Sequence, residues 1–314
     1  MKAARTESEL RVGGRTLAIS NLNKIFYPKA GFTKGQVIDY YVRISKWLLP
    51  HLKDRPLTLK RYPNGVEAPF FYEKRCPSFR PNWLKTARIW SEGSQGDIIF
   101  CLANDLPSLV WTSNLGDLEL HTLLSKKQNP YRPTMMVFDL DPGPPADILN
   151  CVHVSLWLRE VFDRLGVKSF PKTTGSKGLQ VYVPLNTPVT FDETKSFART
   201  LAQLLTREHP NEVVYDMKKA LRSGKVLVDW SQNDDHKTTV CVYSLRAKER
   251  PTVSTPLTWQ ELEKIQRSGN QKQLVFDSEA ALKRAEKLGD LFAPVLSLKQ
   301  KLPKLQEVEL TPAA

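Results

Sequence analysis

The sequence predicts an α+β fold with mixed sheets around one continuous core. Three observations predict it. Apolar runs of strand length stop at turn residues, capping patterns open amphipathic helices between those runs, and no linker-like stretch divides the 314 residues.

Residues 1–9 are polar and expected to be frayed, and "RVGGRTLAISNLNKIFYPKAGFTK" reads as short strands and turns. Thr33 can cap a helix running to about Leu52, in which Val37, Tyr40, Tyr41, Ile44, Trp47 and Leu48 recur at helical spacing. "RPLTLKRYPNG" is a strand and a turn. "GDIIFCLAND" is a strand after which Asn104 or Asp105 opens the helix containing "SLVWTSNL", and "LELHTLLS" is a further strand. The strand ending at Asp141 breaks at Pro142, Gly143, Pro144 and Pro145. A helix follows from about Asp147 to Leu165, with Gly166 just past its end. "LQVYVPL" is a strand, and Thr190 with Glu193 makes a capping box opening a helix to about Glu208. "KVLVDW" and "TTVCVYSL" are strands, Thr258 and Glu261 repeat the capping pattern, and Ser278 opens a last helix that Gly289 ends. A single domain is expected over residues 1–298, with a C-terminal tail over 299–314.

Lys plus Arg number 46 against 33 Asp plus Glu, a net charge of +13. That excess makes a polyanion, nucleic acid first, the expected partner; the alternative is a basic surface that only aids solubility. No apolar run approaches the roughly 18 residues of a membrane span, and "MKAARTESEL" carries no apolar signal core, so no membrane association and a cytoplasmic location are expected. The four cysteines are scattered without a CxxC pair, so neither a zinc site nor a disulfide framework is expected. Cys101, Cys151 and Cys241 read as core residues and Cys76 as exposed.

"MMVFDLDPGPP" is the stretch richest in chemistry. Strand side chains alternate, so Asp139 and Asp141 share a face, roughly 6–7 Å apart along the backbone, while Phe138 and Leu140 point to the core. Like charges that close are relieved by a cation between them, and oxygen ligands suit Mg²⁺ or Mn²⁺. "KVLVDWSQN" places Asp229 at the end of a second apolar strand. Three such carboxylates form the layout of two-metal phosphoryl transfer; the alternative is an acidic strand end facing solvent. A DxD at a strand end also occurs in haloacid-dehalogenase phosphatases and in glycosyltransferases. The Pro after Asp141 and the mid-chain position depart from the former.

"KTTGSKGLQVYVPL" sets a turn rich in Gly, Ser and Thr before a strand. Its backbone N–H groups at Gly175, Ser176 and Gly178 can cradle phosphate oxygens, with Lys177 adding charge, although the stretch also reads as an ordinary turn. Arg246 ends a strand and suits bidentate phosphate contact or a bland surface position. His121 would share a face with Glu119 and reads as structural or functional.

Taken together, "NLNKIFYPKAGFTKGQVIDYY", "RPLTLKRYPNG", "FFYEKRCP", "FDLDPG", "TTGSKGLQVYVPL", "GKVLVDWSQN", "TTVCVYSLRA" and "GDLFAPVL" resemble the primase–polymerase domain of bacterial DNA ligase D, a member of the archaeo-eukaryotic primase superfamily acting in non-homologous end joining. The resemblance covers about residues 20–296. It implies two apposed mixed β-sheets flanked by helices, with the active cleft between them. It makes Asp139, Asp141 and Asp229 the catalytic, metal-binding triad for two Mn²⁺ or Mg²⁺ ions, without zinc. It assigns His121, Thr174, Ser176, Lys177, Gln232 and Arg246 to the incoming nucleotide, Phe70 and Phe71 to stacking on the template, and Lys24 and Lys34 to a DNA 5′-phosphate. Arg222 falls on a mobile basic loop.

The implied activity is a repair polymerase that adds NTPs or dNTPs, ribonucleotides preferred, at gaps and ends of double-stranded DNA bearing a 5′-phosphate, with Ku and a DNA ligase as partners. A "KxDG" nucleotidyl-lysine motif and a nuclease histidine cluster are missing from the stretch at hand. The alternatives are a dehalogenase-type metal-dependent phosphatase and a catalytically inactive DNA-end-binding module.

Overall fold

The computed structural model describes residues 7–304. Its chain gathers into two compact units, each assembled from three separate stretches. Unit one takes the residues up to Gln128, Thr238–Thr255 and Phe276–Asp290; unit two takes Asn129–Lys237, Pro256–Val275 and the residues from Leu291. Both mix helices and sheets.

In unit one the helix Lys34–Leu52 opens as its sequence dictates. The Thr33 hydroxyl accepts from the Gln36 N–H while the Gln36 side chain accepts from the Thr33 N–H, which satisfies two groups that a helix start leaves orphaned. The helix buries Val37, Tyr40, Tyr41, Ile44 and Leu48. The buried hydroxyls of Tyr40 and Tyr41 donate to the carbonyls of Tyr243 and Leu118, so the burial costs no unpaired donor. A six-stranded sheet runs Thr239–Val240, Asp117–Thr122, Leu57–Arg61, Gly96–Cys101, Thr86–Ser91, with Phe71–Glu73 also pairing Leu57–Arg61, all antiparallel. On Asp117–Thr122, Leu118 and Leu120 are buried on one face. Asp117, Glu119 and His121 therefore occupy the other.

Three expectations change in this unit. Glu7–Glu9 are not frayed ends: they pair with Ala18–Ser20 within the strand Glu7–Val12, while residues 1–6 lie outside the described residues. "TTVCVYSL" is not one strand. Tyr243 takes φ +63° and the Ser244 N–H closes a turn onto the Cys241 carbonyl, splitting it into Thr239–Val240 and Leu245–Ala247. Every residue of the turn is buried, so its apolar pattern mimics a strand. Cys76 is buried and bonded to Cys101 as a disulfide. The Cys76 N–H donates to the Ile99 carbonyl, laying its segment along the Gly96–Cys101 strand; the 25-residue separation carries no spacing signal.

Unit two is built on a five-stranded sheet, in the order Phe170–Thr173, Leu179–Pro184, Met135–Pro142, Val226–Asp229, Val213–Val214, with only the last pair parallel. Met135–Pro142 is central, and Phe138 and Leu140 are fully buried. Their face packs on the helix Ile148–Arg164: the Phe138 and Phe162 rings lie 5.5 Å apart, and the Cys151 thiol meets the Leu140 carbonyl at 3.5 Å. Capping boxes open this helix at Asp147, Phe191–Glu208 at Thr190 and Trp259–Ser268 at Thr258. Part of the stretch expected as a tail is docked. Gln300 pairs with the backbone of Lys168, Pro184 and Leu185, and residues 305–314 lie outside the described residues. Among the described residues no helix is long and apolar enough to cross a membrane.

Candidate active site

Asp139 and Asp141 stand half-buried on the face of their strand opposite Phe138 and Leu140. Asp229 lies directly across from Asp139 in the antiparallel register, so two carboxylates face each other on adjacent strands. The same register extends to Gln180 and Lys172, giving a polar row Lys172, Gln180, Asp139, Asp229 across four strands. Burial, then the charges of Asp141 and Asp229, push the Asp139 carboxyl up to about 7. Its Oδ1 is buried and has no hydrogen-bond partner among the described residues. An orphaned carboxylate oxygen beside two repelling carboxylates is the donor set of a hard divalent cation, so the residues fit the ions the resemblance implies.

Asp229 is oriented by its neighbours. It accepts from the Ser231 N–H (2.9 Å), the Ser231 hydroxyl (2.6 Å) and the Gln232 amide (2.9 Å) in the tight turn Trp230–Gln232. Gln232 is thus a direct support of the third carboxylate. Thr174 closes its own turn: its N–H and hydroxyl donate to the Gly178 carbonyl, and its oxygen accepts from the N–H groups of Ser176 and Gly178. Two of the three N–H groups expected to meet phosphate are therefore engaged within the turn. Lys177 projects exposed from it. Arg222 packs against the turn that follows Asp141: a Cβ on Gly143 would stand 1.9 Å from the Arg222 carbonyl, so only glycine fits. The Arg222 guanidinium donates to the Met217 carbonyl, while its buried Nε has no partner among the described residues.

In unit one, His121 and Arg246 meet at Glu119. The buried carboxylate Oε2 lies 3.0 Å from His121 Nε2, 3.1 Å from Lys60 Nζ and 3.3 Å from Arg246 Nε. Its Oε1 accepts from the Ala247 N–H at 3.0 Å. Burial would raise this carboxyl, but the His121 hydrogen bond and the charges of Arg246 and Lys60 hold it well below the usual range. Register explains the meeting: Lys60 lies opposite Glu119 on one side and Tyr72 on the other. A bulge at Lys60 and Arg61 is secured by the Lys60 N–H donating to buried Asp117.

Phe70 and Phe71 are both exposed and lie beside Lys60 and Arg61 of the same unit. Phe70 stacks on Tyr62 at 5.1 Å with the Lys60 ammonium 4.7 Å from its ring, and Arg61 covers Phe71 at 5.1 Å. The aromatic pair is accordingly not core. Lys24 and Lys34 are joined through their backbones, the Lys34 N–H donating to the Lys24 carbonyl at 2.8 Å. Their ammonium groups take different acceptors. Lys24 donates to Pro63 O and Asn64 Oδ1, each at 2.7 Å, whereas Lys34 is buried and donates to Ser20 O at 2.6 Å.

Glu119, Lys60, Gln180 and Lys172 escaped the sequence reading as site residues. The Glu119–His121 spacing marks a shared face, but the cross-strand partners follow only from register. A further group, Asp234, Asp235 and His236, brings ligand atoms within 4.8 Å of one another, but Asp234 is already paired with Lys195 at 2.5 Å.

Residues 33–292 match the family described as LigD, primase-polymerase domain. The multifunctional non-homologous end joining protein LigD of Mycolicibacterium smegmatis is 37% identical over 281 residues, covering 88% of this chain and 36% of that protein. The bifunctional LigD of Bacillus subtilis is 33% identical over 248 residues, covering 79% and 39%. The chain therefore spans well under half the length of these relatives. In three dimensions it is similar to the polymerase domain from Mycobacterium tuberculosis ligase D in complex with DNA, with a TM-score of 0.83, 33% identity, and coverage of 90% of this chain and 99% of that one. The α+β architecture is that of the archaeo-eukaryotic primase fold, and the dehalogenase-type alternative falls with these matches. On a family match covering most of its residues, this chain belongs to the LigD primase-polymerase domain family.

Proposed function

We propose that the protein is a DNA-end repair polymerase of non-homologous end joining that transfers nucleotides onto a 3′-hydroxyl at gaps and broken ends. The observation that carries this reading is the carboxylate pair Asp139 and Asp229, directly opposed on adjacent strands, with Asp141 on the same face. Asp139, Asp141 and Asp229 would hold the divalent ions. Bound there, two Mn²⁺ or Mg²⁺ ions would supply Lewis acidity, easing deprotonation of the attacking hydroxyl and neutralising charge on the triphosphate. Ser231 and Gln232 fix the orientation of Asp229, the carboxylate that would help to hold the ions.

His121, Thr174, Ser176, Lys177, Gln232 and Arg246 serve the incoming nucleotide in this reading. The exposed Lys177 and the Arg246 guanidinium supply positive charge for phosphate oxygens. Exposed Phe70 and Phe71 offer faces on which any base can stack, as template reading without sequence preference requires. The DNA-bound state of the similar mycobacterial domain supports DNA as the partner here. Ribonucleotide preference, Ku and a ligase follow from the same family reading.

Primer extension on a gapped duplex with a 5′-phosphate, run with Mn²⁺ or Mg²⁺ and with NTPs or dNTPs, tests it. Template-directed addition of the complementary nucleotide is expected. Tight DNA binding without turnover in either metal would leave an inactive end-binding module instead.

A further inference from the structure

Glu119 is a buried anion whose partners all belong to unit one, and a carboxylate can only accept hydrogen bonds. His121 Nε2, 3.0 Å from Glu119 Oε2, must therefore carry the proton. Among the described residues no hydrogen bond occupies Nδ1, and about an eighth of the side chain remains exposed, at 13%. Burial, with the nearby charges of Arg246 and Lys60, lowers the imidazole's affinity for a second proton below its ordinary value, against the pull of Glu119. The ring is thus neutral at pH 7, with a lone pair on Nδ1. Such an atom repels phosphate oxygens and takes a donor. The Tyr72 ring, perpendicular to the imidazole with centroids 6.1 Å apart, and the Glu119 bond together restrict ring rotation.

We propose that Glu119 is a positioning residue that holds His121 as a hydrogen-bond acceptor for a sugar hydroxyl of the incoming nucleotide. The inference rests on the nucleotide reading given above. Two tasks separate within the cluster: Arg246 meets the anionic part of the nucleotide, and His121 reads a hydroxyl. The same carboxylate also neutralises Lys60, whose ammonium lies over the rings of Tyr62, Phe70 and Tyr72. One anion thereby sets the geometry of the proposed nucleotide and template elements of this unit.

Two measurements test the proposal. The first is ¹⁵N NMR of the His121 imidazole in wild-type protein without substrate. A proton on Nε2 with a bare Nδ1 at neutral pH is expected; a proton on Nδ1, alone or in addition, overturns the proposal whether or not the protein polymerises. The second compares KM and kcat for single-nucleotide addition with a ribonucleotide, its 2′-deoxy analogue and its 3′-deoxy analogue. Wild type should show a KM roughly three- to tenfold higher for the analogue lacking the hydroxyl that His121 reads, the size of one hydrogen bond, and the arm that responds identifies the hydroxyl. Glu119→Ala, which removes the acceptor of the Nε2 proton, should bring that KM ratio to about one with a smaller effect on kcat, and adding it to His121→Ala should change the ratio no further. A carboxylate serving only the fold would alter all three nucleotides alike and leave the ratio standing, which overturns the proposal. Equal KM for all three nucleotides in active wild type also overturns it, leaving the polymerase reading intact; no incorporation under any condition removes both.

Discussion

The carbonyl oxygen of Leu140 lies 2.1 Å from the point where a Cβ on Gly178 would stand. The turn from Thr174 to Gly178 therefore abuts the strand between Asp139 and Asp141, and only glycine allows that approach. Gly178→Ala must push the turn away or bend the strand. It should lower stability by about 1–3 kcal/mol and reduce nucleotide addition more than tenfold, because ligand placement tolerates little movement. Gly93→Ala, where a Cβ meets nothing within 4 Å, should leave both nearly unchanged. Denaturant unfolding and primer extension on the two variants decide the matter.

Each of Asp139→Ala, Asp141→Ala and Asp229→Ala should abolish nucleotide addition while sparing DNA affinity, since carboxylates that act together on metal ions fail together. Asp139→Asn adds a stability signature. Removing a buried charge that Asp141 and Asp229 repel should raise the thermal midpoint of the metal-free protein at neutral pH. Mn²⁺ should raise the midpoint of wild type and much less that of the variant. A variant that keeps near-normal extension would remove its residue from the triad.

Lys177→Ala and Arg246→Ala should both raise the nucleotide KM, by about tenfold or more for loss of a charge-assisted contact. They should differ in stability. Lys177 is exposed, so its loss leaves the fold untouched, whereas Arg246 is bound to the buried Glu119 carboxylate. A melting temperature that falls only in Arg246→Ala is the expected pattern. Intact nucleotide binding with lost DNA binding would move these residues to the DNA track.

Lys24 and Lys34 should also part company. If the Lys24 ammonium meets a terminal phosphate, wild type binds gapped DNA with a 5′-phosphate several-fold tighter than the 5′-hydroxyl form, and Lys24→Ala removes the difference without destabilisation. Lys34→Ala should in addition lower stability by about 1–3 kcal/mol, because it strips a buried carbonyl of its donor. Equal affinity of wild type for both ends, by fluorescence anisotropy at one salt concentration, argues against the assignment.

Glu119 predicts a pH dependence of stability. Its folded carboxyl sits below the ordinary value of 4.5, so the stabilisation is fully present above that value and is lost as pH falls toward the lowered one. Unfolding free energy measured at pH 7 and again at pH 3 should fall less in Glu119→Gln than in wild type, since the amide has no proton to gain. An unchanged difference would mean that the cations around Glu119 do not hold its proton off.

The sequence alone determined the local structure wherever its signals are local. Thr33, Asp147, Thr190 and Thr258 opened helices because a cap and its third-position partner are three residues apart in the chain. Asp139 and Asp141 were legible as one face because strand side chains alternate with period two. The family was legible because many short motifs coincide in order. Tertiary structure alone decided what depends on register or on distant chain segments. Asp229 opposite Asp139, Glu119 opposite Lys60, and the Cys76–Cys101 bond join residues 90, 59 and 25 positions apart, separations at which no periodicity operates. "TTVCVYSL" misled for the complementary reason: a buried turn satisfies the same apolar composition as a strand, and only the backbone at Tyr243 separates the two. Two units that each draw on three separate stretches leave no linker to read.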